Sequence, residues 1–263
     1  MQDSVFAPGA MSLEGKKGLV VGIANDQSIA YGCARAYRHL GAELAVTYLN
    51  DKAVRFVEPC AEAVGATIFA PLDVTREGEM EAVFDRIRSQ WGRLDFVLHS
   101  IAFAPMQDLH GRVVDCSREG FLLAMDVSCH SFLRMARLAE PLMDRGGALQ
   151  TMSYFGSEKV VAHYNIMGPV KAALESVSRY MAAELGPKGI RVHAISPGPL
   201  KTRAASGIAE FDALLNRAAE RAPARALVDI DDVGVAAAYL CTDAAHLITG
   251  NVVYIDGGYN IMG

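Results

Sequence analysis

Short apolar runs alternating with helix-patterned stretches, along nearly the whole chain, constrain the fold more than any single motif. Residues 18–23 (Gly-Leu-Val-Val-Gly-Ile) are apolar at successive positions, the mark of a strand covered on both faces. Further strand patterns run over 43–49, 66–72, 94–100, 148–153, 190–195 and 252–255, and helical patterns over 28–40, 51–64, 76–91, 118–142 and 231–241. A further helix ends at Leu185, where Gly186-Pro187 stops it. Strands that follow one another through helices pair in parallel with right-handed crossovers. The expected fold is therefore α/β: a single doubly wound domain, with a seven-stranded parallel sheet and helices on both faces.

No linker or repeat interrupts this alternation, so one domain is expected over 16–263. Residues 1–15 mix Gly, Pro, Ser and Asp and are expected to be a tail. The Ala-rich stretch 204–221 promises only short, weakly anchored helices, and a lid is expected over about 200–222. With 51% hydrophobic residues, core material is ample. A net charge of −5 without a Lys/Arg run argues against nucleic-acid binding. Five cysteines without a CxxC fit reduced thiols, and His99, His110, His130, His163 and His246 lack metal-ligand spacing, so no metal is expected. No basic leader precedes an apolar run, and no run approaches the ~18 residues of a membrane span. A cytoplasmic protein without membrane contact is expected.

Residues 153–171 carry the densest chemistry. A strand delivers Ser153-Tyr154, and a helix is expected to carry both Tyr164 and Lys171. Seven positions at ~100° each place that pair on one helix face, about 10.5 Å apart. The two are too distant to bond directly, yet a cofactor and substrate along that face can engage both. The phenol would then donate a proton, and the ammonium would bind ribose or phosphate. Two ordinary surface residues would show the same spacing.

In doubly wound sheets ligands bind at the carboxyl ends of strands. The first strand-to-helix turn, 22–32, places Gly22 for close backbone approach and Ser28 for a helix cap, and the helix N-terminus favours an anion. It lacks the full GxGxxG, so an ordinary loop remains an equal reading. No GxxxxGK[ST] exists, which removes a P-loop. The second strand ends Tyr48-Leu49-Asn50 without an acid or an Arg, which favours NADH over NADPH, although Lys52 and Arg55 lie nearby. Asp73 can meet an adenine amino group or simply cap its turn before Thr75.

Four pieces in this order carry a resemblance: Gly22-x5-Ser28-Ile29-Ala30, the 100–105 stretch Ser-Ile-Ala-Phe-Ala-Pro, Tyr164-x6-Lys171 in place of Tyr-x3-Lys, and 199–208 (Pro-Leu-Lys-Thr-Arg-Ala-Ala-Ser-Gly-Ile). Together they resemble the divergent branch of the short-chain dehydrogenase/reductase superfamily, the bacterial NADH-dependent enoyl-acyl-carrier-protein reductases. The resemblance spans roughly 16–258 and implies a Rossmann-like fold. Tyr164 then matches the catalytic tyrosine, Lys171 the ribose-binding lysine and Tyr154 the second active-site tyrosine. Gly22, Ser28 and Ile29 match the pyrophosphate turn, Asp73 and Val74 the adenine contacts, and Ser100 and Ile101 the ribose side. Leu200, Thr202 and Ala204 match the nicotinamide side, and Ala104 a position beside the substrate. Leu49, at the adenine end, departs from the polar residue often found there, and Ala102 stands where glycine is common. A homotetramer acting on an enoyl thioester of acyl carrier protein, in the last step of fatty-acid elongation, is what the resemblance implies.

The chemistry agrees with these residue types. Hydride delivery to an enoyl β-carbon builds negative charge on the thioester oxygen, where a placed phenol stabilises it. Lys171, if near, would lower that phenol's pKa. Ser153 is the runner-up for Tyr154's role, and Met106, Met125, Met152 and Met167 are expected as core or pocket wall. Two other readings stay open: a carbonyl or alcohol dehydrogenase on the same fold, and a dinucleotide-binding regulator without turnover.

Overall fold

The computed structural model describes residues 9–202 and 211–262. Its strands are β1 Lys17–Val21, β2 Glu43–Tyr48, β3 Ile68–Pro71, β4 Phe96–His99, β5 Gly147–Met152, β6 Ile190–Pro197 and β7 Val252–Ile255. All pair in parallel in the order β3-β2-β1-β4-β5-β6-β7. The order reverses between β1 and β4, where Gly18 pairs with Leu44 on one side and Phe96 on the other. That is the switch point at which such sheets open a crevice.

The helices are α1 Ile29–His39, α2 Asp51–Ala63, α3 Glu79–Trp91, α4 Met106–His110, α5 Arg118–Met125, α6 Ser131–Ala139, α7 Met167–Leu185, α8 Phe211–Arg221 and α9 Ile230–Cys241. One sheet face buries Leu19, Val97 and Leu149 against Phe84 of α3, Phe132 of α6 and Leu174 of α7. The other buries Val20, Val46 and Leu98 against Tyr37 of α1, Val57 of α2 and Ala237 of α9. Phe84 and Phe132 are fully buried, and truncating either to Ala costs roughly 3–5 kcal/mol. A Cβ on Gly32 would meet the Ile230 carbonyl oxygen at 2.1 Å, and one on Gly234 the Gly32 carbonyl oxygen at 2.4 Å, so α1 and α9 touch backbone to backbone.

The expected fold class holds, and the departures have local causes. Residues 118–142 are not one plain helix, because a π turn at Asp126–His130 separates α5 from α6. Helix α3 starts at Glu79 rather than Arg76, since Gly78 before it has a φ of +83°. Helix α4 has too few residues to show a periodicity. Of the expected tail, residues 9–15 are docked: Leu13 is fully buried and its amide donates to the Leu40 carbonyl. Among the described residues no helix is long and apolar enough to cross a membrane.

Candidate active site

At the end of β1 the backbone reverses at Gly22 with a φ of +112°. A Cβ there would sit 2.1 Å from the Ser100 carbonyl oxygen, so both conformation and space demand glycine. The Ser100 amide donates to the Val21 carbonyl at 2.9 Å, which ties the ends of β1 and β4 together at the crevice. Ser28 occupies the N-cap of α1, but its hydroxyl does not cap the helix as expected. It accepts from the amides of Ala24 (2.9 Å) and Asn25 (3.1 Å), which reach it first, and so braces the turn. The amides of Ile29 and Ala30, in the first turn of α1, lie ahead of the first bond to the Ser28 carbonyl and could hold an anion at the turn.

Farther along the sheet, Asp73 behaves as the turn aspartate. Its Oδ1 accepts from the Thr75 amide (2.9 Å) and hydroxyl (2.6 Å). Val74 is buried, and its carbonyl accepts from Arg134 at 2.9 Å. Leu49 projects from the end of β2, 55% exposed, and the Arg55 guanidinium stacks 4.6 Å from the Phe56 ring. Ile101 packs against the α3/α6/α7 core, whereas Leu200 is buried with the α1/α9 core. Thr202 is half-buried. Ala204 and the 203–210 part of the expected lid lie outside the described residues.

At the ends of β4 and β5 the structure brings Ala104, Tyr154 and Tyr164 into one apolar cluster with Ala124, Met167 and Val170. The two tyrosine rings meet edge to face, 4.9 Å apart at 68°. Tyr164 does not stand on the helix, which corrects the shared-face expectation. Helix α7 begins at Met167, and the residues flanking Tyr164 are left-handed, His163 at φ 63° and Asn165 at φ 41°. The Asn165 amide group holds this conformation by donating to the carbonyls of Leu109 and Gly111, each at 2.5 Å. Lys171 is on α7, buried, and its ammonium donates to the Met152 carbonyl at 2.6 Å. Ser153 donates to Glu175, so its hydroxyl is already engaged. Met152 and Met167 are buried and Met125 packs on the core, but Met106, at the start of α4, is 67% exposed and so is not a core residue.

Burial pushes both phenols above the ordinary tyrosine range, with Tyr154 and Glu175 adding to the effect on Tyr164. Both stay protonated at neutral pH and are donors. Burial lowers the Lys171 ammonium to about 8, partly opposed by Cys129 and Glu175. The expected acidification of the phenol by Lys171 is absent, because desolvation dominates and the ammonium is turned to Met152. The Tyr154 hydroxyl is buried without a hydrogen-bond partner among the described residues. A buried donor left unpaired costs about 1–3 kcal/mol, an expense that a polar ligand atom would remove.

Beside the site stand polar residues whose partners the sequence did not show, His99 among them, expected only as a histidine without metal-ligand spacing. His99, fully buried in β4, contacts Thr151 Oγ1 through Nδ1 (2.9 Å) and Ser131 Oγ through Nε2 (2.7 Å). Ser131 spends its own proton on the Val127 carbonyl, which assigns the histidine proton to Nε2. Burial and Lys171 lower this imidazole to about 3, so it is a neutral strut. Ser128, in the π turn, accepts from the Phe103 amide and donates to the Phe103 carbonyl, fixing the loop that carries Ala104. Glu175 had a readable signal: a charge among Leu174, Ser178 and Met181 on the buried face of a helix. Nothing in the sequence marks the π turn.

The protein-family model described as Enoyl-(Acyl carrier protein) reductase matches residues 22–260. The enoyl-acyl-carrier-protein reductase (NADH) 1 of Rhizobium meliloti is 45% identical over 251 residues, covering 95% of this chain and 92% of that protein. A crystal structure of the enoyl-acyl-carrier-protein reductase of Anaplasma phagocytophilum in complex with NAD superposes with a TM-score of 0.92 at 46% identity, covering 95% and 96% of the two chains. The Bacillus cereus enoyl-acyl carrier protein reductase, solved with NADP+ and indole naphthyridinone, gives 0.93 at 42% identity, covering 95% and 98%.

Proposed function

The chain belongs to the enoyl-acyl-carrier-protein reductase family, and from that premise we propose that its own residues reduce the trans-2 double bond of an enoyl thioester on acyl carrier protein, with NADH, in fatty-acid synthesis. The observation that carries this reading is the meeting of two protonated phenols, Tyr164 buried and Tyr154 half-buried, beside Ala104 at the strand ends where Lys171 enters. A site for the dinucleotide fits the donor set: Gly22 and the α1 amides for pyrophosphate, Lys171 for ribose. Leu49, with no cation fixed beside it, suits a ribose without a 2′-phosphate.

When bound, NADH supplies the hydride that adds to the β-carbon. Tyr164 donates to the thioester oxygen as charge develops there, and its raised pKa keeps the proton on the phenol until that moment. Tyr154, whose hydroxyl has no partner among the described residues, faces the acyl portion of the same substrate. Ala104 leaves space beside the two rings. Ile101, Ser100, Leu200 and Thr202 line the ribose and nicotinamide side, and Asp73 and Val74 the adenine side.

Residues 16–263 form the reductase domain and about 200–222 its lid. Helix α8 is anchored rather than loose, since Ala218 and Ala222 pack on Tyr259 and Phe155. Phe155 in turn meets Tyr154 edge-on at 4.9 Å, which links the lid to the site. A cytoplasmic homotetramer completes the reading. Its support is the exposed apolar surface of Phe121, Leu122, Leu133 and Tyr180 on α5, α6 and α7, and of Val235 and Tyr239 on α9.

The test is nicotinamide absorbance with purified protein, offering an enoyl and a ketoacyl thioester under NADH and NADPH. Oxidation of NADH by the enoyl thioester is expected. Preference for the ketoacyl thioester would return the carbonyl dehydrogenase, and no oxidation with any pair would favour the regulator.

A further inference from the structure

Lys171 and Glu175 stand one turn apart on α7, and both are buried, 5% and 4% exposed. Together they grip the end of β5. Lys171 takes the Met152 carbonyl, while a single oxygen of Glu175, Oε1, accepts from the Ser153 hydroxyl and, at 2.7 Å, from the Ser157 hydroxyl. Tyr154 lies between those serines, so one carboxylate oxygen ties down the chain on both sides of it. The last ladder bond of β5 runs from the Ser153 amide to the Ile195 carbonyl, and beyond it the backbone leaves the sheet. Past that point a single 3-10 turn, with the Ser157 amide donating to the Tyr154 carbonyl at 3.0 Å, bonds only within itself, and side-chain bonds tie it to α7.

The corner so formed also supports the second phenol. A Cβ on Gly156 would meet Tyr164 Cδ1 at 2.6 Å and Tyr154 Cδ1 at 3.3 Å, so the 156 backbone is in close contact with both rings. A Cβ on Gly168, in the first turn of α7, would meet the Gly156 carbonyl oxygen at 2.9 Å. A carboxylate is costly to bury unless its lone pairs are used, and packing alone would be better served by an apolar residue. An acceptor oxygen shared by two hydroxyls holds both in one geometry, which suits a part that must hold a corner still.

We propose that Glu175 is a positioning residue for the reductase: its carboxylate clamps Ser153 and Ser157 and thereby fixes Tyr154 and Tyr164 relative to each other and to the substrate carbonyl. The proposal rests on the reading that these two phenols flank the thioester. It assigns Glu175 no contact with substrate or cofactor. What the clamp requires is an acceptor oxygen, so Glu175→Gln retains it and Glu175→Ala removes it. The carboxylate also acts electrostatically on Lys171, Tyr164 and Tyr254, and the Gln variant separates that influence from the clamp.

The experiment compares steady-state turnover of an enoyl thioester, NADH affinity, and the primary isotope effect with 4-deuterated NADH in wild type, Glu175→Ala, Glu175→Gln and Ser157→Ala. Misplacing reacting groups by an ångström can cost about a hundredfold, so Glu175→Ala is expected to lose roughly ten- to a hundredfold in kcat. Its NADH affinity should hold and its isotope effect should rise, because the chemical step becomes slower. Glu175→Gln should recover most of that turnover, and Ser157→Ala should lose a smaller, several-fold part. Wild-type kcat and isotope effect in Glu175→Ala would overturn the clamp, and so would a Gln variant as slow as the Ala variant, which would assign the effect to charge. If Glu175→Ala does not fold, the Ser153→Ala/Ser157→Ala double variant decides, and unchanged kcat there overturns the proposal. Tyr164→Phe is measured alongside. If it is as fast as wild type the reading of the site itself fails, whereas a slow Tyr164→Phe beside a fast Glu175→Ala removes the clamp alone.

Discussion

At the end of β1 the chain turns through Gly22, where a left-handed φ and a carbonyl 2.1 Å from any Cβ leave no room for a side chain. At the end of β5 it turns through Ser153 and Tyr154, where Lys171 and Glu175 of α7 hold the chain, while Asn165 ties the neighbouring Tyr164 turn to the end of α4. The first turn sets backbone amides at the N-terminus of α1, with the Ser28 hydroxyl as its side-chain brace. The second brings the Tyr154 and Tyr164 rings of the proposed site together, and their placement depends on a set of buried polar contacts. A backbone-built turn should therefore be intolerant of added volume, and a side-chain-built one intolerant of lost hydrogen bonds.

Gly22→Ala tests the first half most severely. The added methyl must push β1 from β4 and also adopt a φ that L residues avoid, and about 4 kcal/mol or more of destabilisation is expected. Thermal unfolding and NADH titration should both register it, and an Ala variant that binds NADH normally would break the comparison. Tyr164→Phe tests the second half. Loss of one donor to a developing oxyanion costs about 3 kcal/mol, or 10²- to 10³-fold in kcat, while NADH affinity stays as it was. A parallel loss of cofactor binding would show that the two ends are not built separately.

The same contrast explains what could be read from sequence. The sheet, its seven strands and the glycine turn were legible because apolar runs and a glycine after a strand are local signals. Tyr164 was expected on a helix and stands before it, since spacing cannot reveal that His163 and Asn165 adopt positive φ. The cap expected of Ser28 failed for a similar reason, as its hydroxyl bonds the nearer turn amides. Asn165, Ser128 and His99 act across 25 or more residues of chain, and no local pattern reports a partner so distant.

A smaller effect comes from the buried ammonium. Lys171 has a folded pKa of about 8 against an ordinary value of 10.5, so the unfolded chain holds more protons between those limits. The Lys171 contribution to stability then rises with pH across that window, by about 2 kcal/mol from pH 8 to pH 10, as the charge that burial penalises is lost. Below pH 8 both states are charged, and this contribution is flat. Lys171→Met should lack the rise, and urea unfolding of both proteins across that range, without cofactor, measures the difference. Equal slopes would mean that the ammonium is better solvated than its position beneath Met152 implies.

The smallest effect, and the one that most sharpens the comparison, is at Asn165, because there backbone and side chain contribute together. Asn165→Ala removes two bonds to the end of α4 and leaves a Cβ in the left-handed region that asparagine tolerates better than alanine. Asn165→Gly removes the same bonds but relieves the strain. If the Tyr164 turn is held by side chains, both variants should lose about 1 kcal/mol of stability and several-fold in kcat from the freed turn, with only the Ala variant losing a little more. If the turn is instead held by its backbone conformation, as at Gly22, the Gly variant should match wild type and the Ala variant alone should suffer. Melting and turnover of this pair therefore decide which of the two building methods governs the loop that carries Tyr164.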